Sequence, residues 1–142
     1  MRITLKEANK LVTYNSTILN SIIDAMFDGR KHIEVPQHEY KLALSKYQMQ
    51  KEKDAALASC AKLNNKGIAL EKAGNIKAAI KIYEKNILNG YPAHHSHKRL
   101  MVLYHKQKDY ENEIRVIERA LEIFGNYPEY NERLIKVNKL IE

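Results

Sequence analysis

The sequence predicts an all-α protein: a stack of antiparallel helical hairpins with extra N-terminal helices and a C-terminal capping helix. Three observations predict it. The 142 residues are 44% hydrophobic but include only five Gly and three Pro, so there is a core to bury and little to interrupt helices. Apolar residues recur at helical spacing over most of the length. A helix–corner–helix pattern also returns after a fixed interval, described below.

Thr4-Leu5-Lys6-Glu7 has the form of a capping box and predicts a helix start. Leu5, Ala8, Leu11, Val12, Leu19, Ile22, Ile23 and Met26 then make one helical stripe. Tyr14-Asn15-Ser16-Thr17 weakens that stripe without demanding a break. Asp28-Gly29 ends it, Gly being free to take the left-handed conformation. Residues 30–35 form a connector, and any sheet is expected to be confined to it. Pro36 suits the start of the next helix. From there to about Ala73 there is no Pro and no Gly but Gly67. Tyr40, Leu44 and Tyr47 mark one face, Gln48 to Asp54 is almost wholly polar, and Ala55, Ala58 and Leu63 resume an apolar face. One long helix and two shorter ones fit equally.

Leu63, Gly67 and Leu70 share a face that ends at Gly74-Asn75. Gly supplies a left-handed cap and Asn caps the next helix, whose inner face is Ile76, Ala79, Ile80 and Tyr83. Gly67 lets the two helices approach closely. Shifted by 34 residues, Gly74-Asn75-Ile76 becomes Lys108-Asp109-Tyr110, Ile80 becomes Ile114, Tyr83 becomes Ile117 and Leu70 becomes Tyr104. Asn126-Tyr127-Pro128 stops the second unit. Tyr130, Leu134, Ile135, Val137, Leu140 and Ile141 then mark a last helix.

These residues resemble the tetratricopeptide (TPR) repeat, a helix–turn–helix unit of 34 residues. The first unit carries Leu63, Gly67, Leu70, Gly74, Ala79, Tyr83 and Pro92 near the family's positions; the second carries Leu100, Tyr104, Tyr110, Ile117, Ala120 and Pro128. Lys66, Asn86, Met101 and Glu113 depart from the pattern. The resemblance covers residues 62–127. It implies a stack whose first helices line a concave groove for a peptide or protein. Carried onto this sequence, the groove positions are Asn64, Ile68, Glu71, Lys72, Lys98, Arg99, Val102, His105 and Lys106. Arg99 is expected to offer its guanidinium to a partner carboxylate, with Ile68 and Val102 as apolar anchors. Where the branch of the family that holds chaperone tails carries Lys, Asn and Asn, this chain has Asn64, Ile68 and Arg99, which argues against that ligand. Residues 1–61 are expected as a helical segment packing on the repeats, and 62–142 as two hairpins plus the capping helix, together one compact domain. Apolar ends of the stack would favour a homo-oligomer.

Charge is uneven. Residues 61–108 hold ten Lys/Arg against two Asp/Glu, whereas 109–142 hold five against eight. The basic block fits an acidic partner or a phosphate backbone, although a solvated lysine face is the plainer reading. Cys60 is the only cysteine, which excludes an internal disulfide and fits a reducing, cytoplasmic setting. The first residues lack the apolar core of a signal peptide, and the run from Leu11 to Ile23 is too short and polar to span a bilayer. His94, His95, His97 and His105 are the only histidine cluster, with no carboxylate close in sequence; a metal site is not expected. No phosphate loop, nucleotide fingerprint or nucleophile–base pair is present. The expectation is therefore a non-enzymatic interaction scaffold with no cofactor. A nucleic-acid accessory role for the basic face of residues 61–108 ranks second.

Overall fold

The computed structural model describes residues 1–142. The chain divides into two compact units, Met1–Ala55 and Ala56–Glu142.

The N-terminal unit starts with a short strand, β1 (Arg2–Thr4), followed by α1 (Leu5–Asn9). Both bonds of the capping box form: Thr4 Oγ1 accepts from the Glu7 amide, and Glu7 Oε2 accepts from the Thr4 amide, each at 3.1 Å. The single helical stripe expected from Leu5 to Met26 is broken. A 3-10 turn covers Val12–Tyr14, and Asn15, extended at φ −156°, caps a new helix, α2 (Ser16–Phe27), by accepting from the Ile18 amide at 3.1 Å. Asn side chains compete with the backbone for such bonds, so the weakened stretch becomes a stop and a restart. Gly29, at φ +69°, closes α2, and the Arg30 amide donates back to the Ala25 carbonyl at 2.8 Å.

The connector does contain a strand, β2 (His32–Glu34), but the sheet is not confined there. Its antiparallel partner is β1, with Ile3 opposite Ile33. Three residues are too few to show alternation, so β1 left no sequence signal. Ile3 and Ile33, each 2% exposed, join Leu11, Ile18, Ile22 and Val35 in the core of this unit. Ala43, Tyr40, Leu44 and Tyr47 of the next helix complete it.

That helix, α3 (Gln37–Lys72), is one uninterrupted element of 36 residues. Its polar middle holds because Gln, Lys, Glu and Met are strong helix formers; Gln50 also bonds Asp54 one turn on at 2.9 Å.

The C-terminal unit combines the end of α3 with α4 (Ile76–Leu88), α5 (His94–Lys106), α6 (Tyr110–Phe124) and α7 (Pro128–Ile141). The 34-residue interval is a property of the backbone: α4 and α6 start 34 apart, as do α5 and α7. Both corners are built alike. Gly74 (φ +78°) and Lys108 (φ +58°) take the left-handed conformation. The Asn75 amide donates to Leu70 O at 2.9 Å, and the Asp109 amide to Tyr104 O at 3.0 Å. Asn75 and Asp109 then accept, each at 3.3 Å, from the amides of Ala78 and Asn112. At Gly67 a Cβ would lie 2.3 Å from the Tyr83 ring, so the close approach read from the sequence is real. Tyr83, Leu100, Ile117, Val116, Tyr130 and Val137 are at most 1% exposed and form the core. Of the residues expected to bury the capping helix, Tyr130 and Val137 do so. Leu134 is half-buried, but Ile141, the last residue of α7, is 55% exposed. No helix is long and apolar enough to cross a membrane.

Candidate functional site

The face of interest runs along the end of α3 and along α5. Residues of α3 at Cys60, Asn64, Gly67 and Glu71 recur every three or four positions, so they lie on one side of that helix. That side meets α4 and α5. Two polar nodes hold it there.

In the first node, Glu71 is the centre. Its Oε2 accepts from Tyr83 OH at 2.5 Å and from Arg99 Nε at 3.0 Å, and its Oε1 accepts from Arg99 Nη2. The Glu71 side chain is only 14% exposed. The Arg99 hydrogen bonds hold its carboxyl below the usual range, against the opposing effect of burial. Burial, and then the bond to Glu71, push the Tyr83 phenol far up. In the second node, Ser96 Oγ donates to Asn64 Oδ1 at 2.5 Å, and Asn86 Nδ2 reaches Asn64 Oδ1 at 2.9 Å and the Cys60 carbonyl at 3.2 Å. Cys60 is a free, buried thiol.

These nodes show Arg99, Glu71 and Asn64 bonded within the chain. Arg99 does not offer a free bidentate edge to a partner, because Glu71 already occupies it. Asn64 is spent in the second node. Lys98 is also engaged: it pairs with Glu129 of α7 at 3.3 Å and sits 5.8 Å from the Tyr127 ring centre. His105 gives its Nδ1 to Glu113 Oε2 at 2.9 Å. What remains on the face is Ile68 and Val102, both half-buried, and Lys72 and Lys106, both exposed.

The second hairpin carries a node that sequence reasoning missed. Glu113, 1% exposed, accepts from His105 at one oxygen and from Arg133 Nη1 at 3.2 Å at the other. A cleft of about 310 Å³ opens beside it, lined also by Glu129, Glu132, Lys136 and Val137. Arg133 lies 34 residues after Arg99, and that recurrence was the available signal. On the opposite side, Glu84 accepts from Tyr104 OH at 2.6 Å and pairs with Arg115. Both acids of the basic block, Glu71 and Glu84, are thus consumed internally. Of its nine lysines, Lys98 alone forms an ion pair. Lys77, Lys81 and Lys85 make an exposed stripe on α4, one turn apart.

The histidines do not converge. His94 stacks on Phe124, with ring centres 3.7 Å apart, and shares a 2.6 Å hydrogen bond with Tyr130 OH. His95 meets the Tyr83 ring edge-on. His97 is 1% exposed and donates Nδ1–H to the Ala93 carbonyl at 3.0 Å; burial lowers its pKa. No group of three or more His, Cys, Asp or Glu side chains is placed to hold a metal ion.

No family model matches this chain, and no curated protein matches it.

Proposed function

We propose that residues 62–127 form two degenerate TPR hairpins, and that the chain is a non-enzymatic scaffold binding a peptide or protein along the α3–α5 face. One observation carries this reading. Ile68 and Val102 are 34 residues apart, as are Lys72 and Lys106, and all four are left over once the internal pairs are made. The same apolar anchor, followed four residues later by the same cation, therefore recurs along the face. Four residues is about one helical turn, so anchor and lysine sit side by side. An extended partner with spaced apolar and acidic side chains fits such a ladder. The single free thiol supports a cytoplasmic setting.

The test begins with affinity capture by the full chain, with bound proteins identified by mass spectrometry and one binding peptide then titrated. Val102→Asp and Lys106→Ala should weaken binding with the melting temperature unchanged, while Lys77→Ala should not. Equal losses from every lysine substitution would count against the groove.

A nucleic-acid role stands as the second reading because eight lysines of residues 61–108 have no ion-pair partner. It requires binding to oligonucleotides that falls steeply with salt. A groove with apolar anchors requires binding that largely survives the salt.

A further inference from the structure

Strands β1 and β2 bury one face and expose the other. Ile3 and Ile33 join the core of the N-terminal unit, so Arg2 and Thr4 of β1 and His32 and Glu34 of β2 lie on the outward face. A cleft of about 290 Å³ opens there, lined by Arg2, Arg30, Lys31, His32, Ile33 and Glu34. Four of these six residues are basic. The acids near by are already engaged. Glu7 accepts from the Thr4 amide, Asp28 pairs with Arg30 at 3.2 Å, and Glu34 pairs with the Met1 amino group at 3.5 Å. The register sets Arg2 directly opposite Glu34, a pairing that would stabilise so short a ribbon. Arg2 does not make it. Its Nη2 lies 3.4 Å from His32 Nδ1 instead, and neither Arg2 nor Lys31 forms an ion pair.

We propose that this cleft binds the phosphate group of a small phosphate ester. Like charges crowded onto two strands of three residues cost stability, and such a breach of local rules is kept where a ligand needs it. A guanidinium can only donate, so His32 Nδ1 accepts from Arg2 and Nε2 carries the proton. The basic side chains of the cleft thus present two guanidinium forks, an ammonium and an imidazole N–H. Guanidinium forks match the oxygen spacing of a phosphate, and lysine adds a compact charge. A carboxylate has one charge and two oxygens, too few to engage this set. A phosphate ester brings close to two charges and three oxygens. The volume is near the lower end for small-molecule sites, roughly 300 Å³, so the ligand is small. A soluble ester and a lipid headgroup carry the same group. The cleft belongs to the N-terminal unit, whose residues take no part in the proposed groove.

Calorimetric titration of the full chain tests this, with pyrophosphate as the soluble probe and ionic strength held fixed with chloride. Cosedimentation with vesicles carrying phosphatidic acid, whose headgroup is a phosphate monoester, is the second arm. Saturable binding in the first arm alone assigns a soluble ester; cosedimentation that pyrophosphate competes away assigns a lipid headgroup. In either arm Arg2→Gln and Lys31→Gln should each weaken binding about tenfold. Circular dichroism should not change, because both side chains are exposed. Lys31→Arg should bind, and Lys77→Gln, on the exposed α4 stripe, should match the parent. Absence of saturable binding in both arms would overturn the proposal, as would binding indifferent to Arg2 and Lys31. An equal loss with Lys77→Gln would mark diffuse attraction to net charge and overturn it too. Binding of an oligonucleotide but of neither probe would assign these cations to a nucleic-acid backbone instead.

Discussion

Gly67→Ala separates helix propensity from packing because the two act in opposite directions. Gly67 lies inside α3, where replacing Gly by Ala ordinarily stabilises by about 0.5–1 kcal/mol. Here the new methyl would sit 2.3, 2.6 and 2.9 Å from Cε1, Cζ and Cδ1 of Tyr83. Tyr83 has nowhere to go: it is 0% exposed, and its hydroxyl is bonded to Glu71. Either the ring shifts and loses that bond, or α3 and α4 move apart. Moving the helices apart costs about 1–3 kcal/mol, and shifting the ring instead loses a hydrogen bond to a charged acceptor, about 1.5–3 kcal/mol. Less the propensity gain, a net loss of about 0.5–2.5 kcal/mol is expected by either route. That corresponds to a fall in melting temperature of roughly 2–20 °C for a unit of this size. Thermal unfolding by circular dichroism measures it. In a Tyr83→Leu background the same substitution should be neutral or stabilising. A Gly67→Ala protein that melts at or above the parent temperature would refute the close approach.

Other consequences are smaller and equally direct. At the corners, Gly74→Ala should destabilise and Lys108→Gly should stabilise, each by about 1 kcal/mol, because both positions are left-handed and a Cβ at Gly74 would touch nothing within 4 Å. Urea unfolding showing the same sign for both would contradict this. Glu71 has its folded pKa lowered by Arg99 from an ordinary value of 4.5, so as pH falls the unfolded chain takes the proton first. Its contribution is complete above that ordinary value and is lost as pH drops through the lower folded value. Glu71→Gln should flatten that acid limb in a plot of urea midpoint against pH. His97 is held neutral by burial below its ordinary 6.5, so stability should also decline as pH falls below about 6.5, where the unfolded imidazole charges. His97→Gln should remove that decline, and a midpoint equally steep in both proteins would exclude His97 as its source.

Local chemistry made the 34-residue interval legible. A left-handed residue followed by an Asn or Asp cap is written in two adjacent letters, and at Gly74-Asn75 and Lys108-Asp109 the backbone follows them. Gly67 was readable for the same reason: an otherwise costly residue inside a helix implies a neighbour that needs the space. The strand Arg2–Thr4 was not readable, because its only partner is thirty residues away and its register depends on Ile33. Nor was the fate of Arg99. A guanidinium at a groove position looks available until Glu71, 28 residues earlier, is brought against it. The break at Asn15 fell between these cases. Its letters signalled weakness, and the choice between a kinked helix and a new one was made by packing Leu11 and Ile18 into the same core.

The two hairpins differ most at positions that compensate for one another. Where the first has Glu71 on α3, the second has His105 on α5; where the first has Ala79 buried on α4, the second has Glu113 buried on α6. Arg99 and Arg133 keep the same place. The acid that meets the arginine has in effect moved from a first helix to a second helix, and a histidine has filled the vacated place. Glu113 is costly to bury alone, and the bonds from His105 and Arg133 offset that cost. Glu113→Ala should therefore destabilise by about 1–3 kcal/mol, less than for a fully buried pair, because Arg133 is 31% exposed. Adding His105→Glu to that variant rebuilds the arrangement of the first hairpin, with a carboxylate on α5 reaching Arg133 as Glu71 reaches Arg99. The double variant should regain about half or more of the lost stability, a coupling within the roughly 0.5–3 kcal/mol usual for groups in one network. Urea unfolding of the two single variants and the double variant measures it. If His105→Glu lowers stability by the same amount with Glu113 present or absent, the two departures are unrelated, and each hairpin must be explained on its own terms.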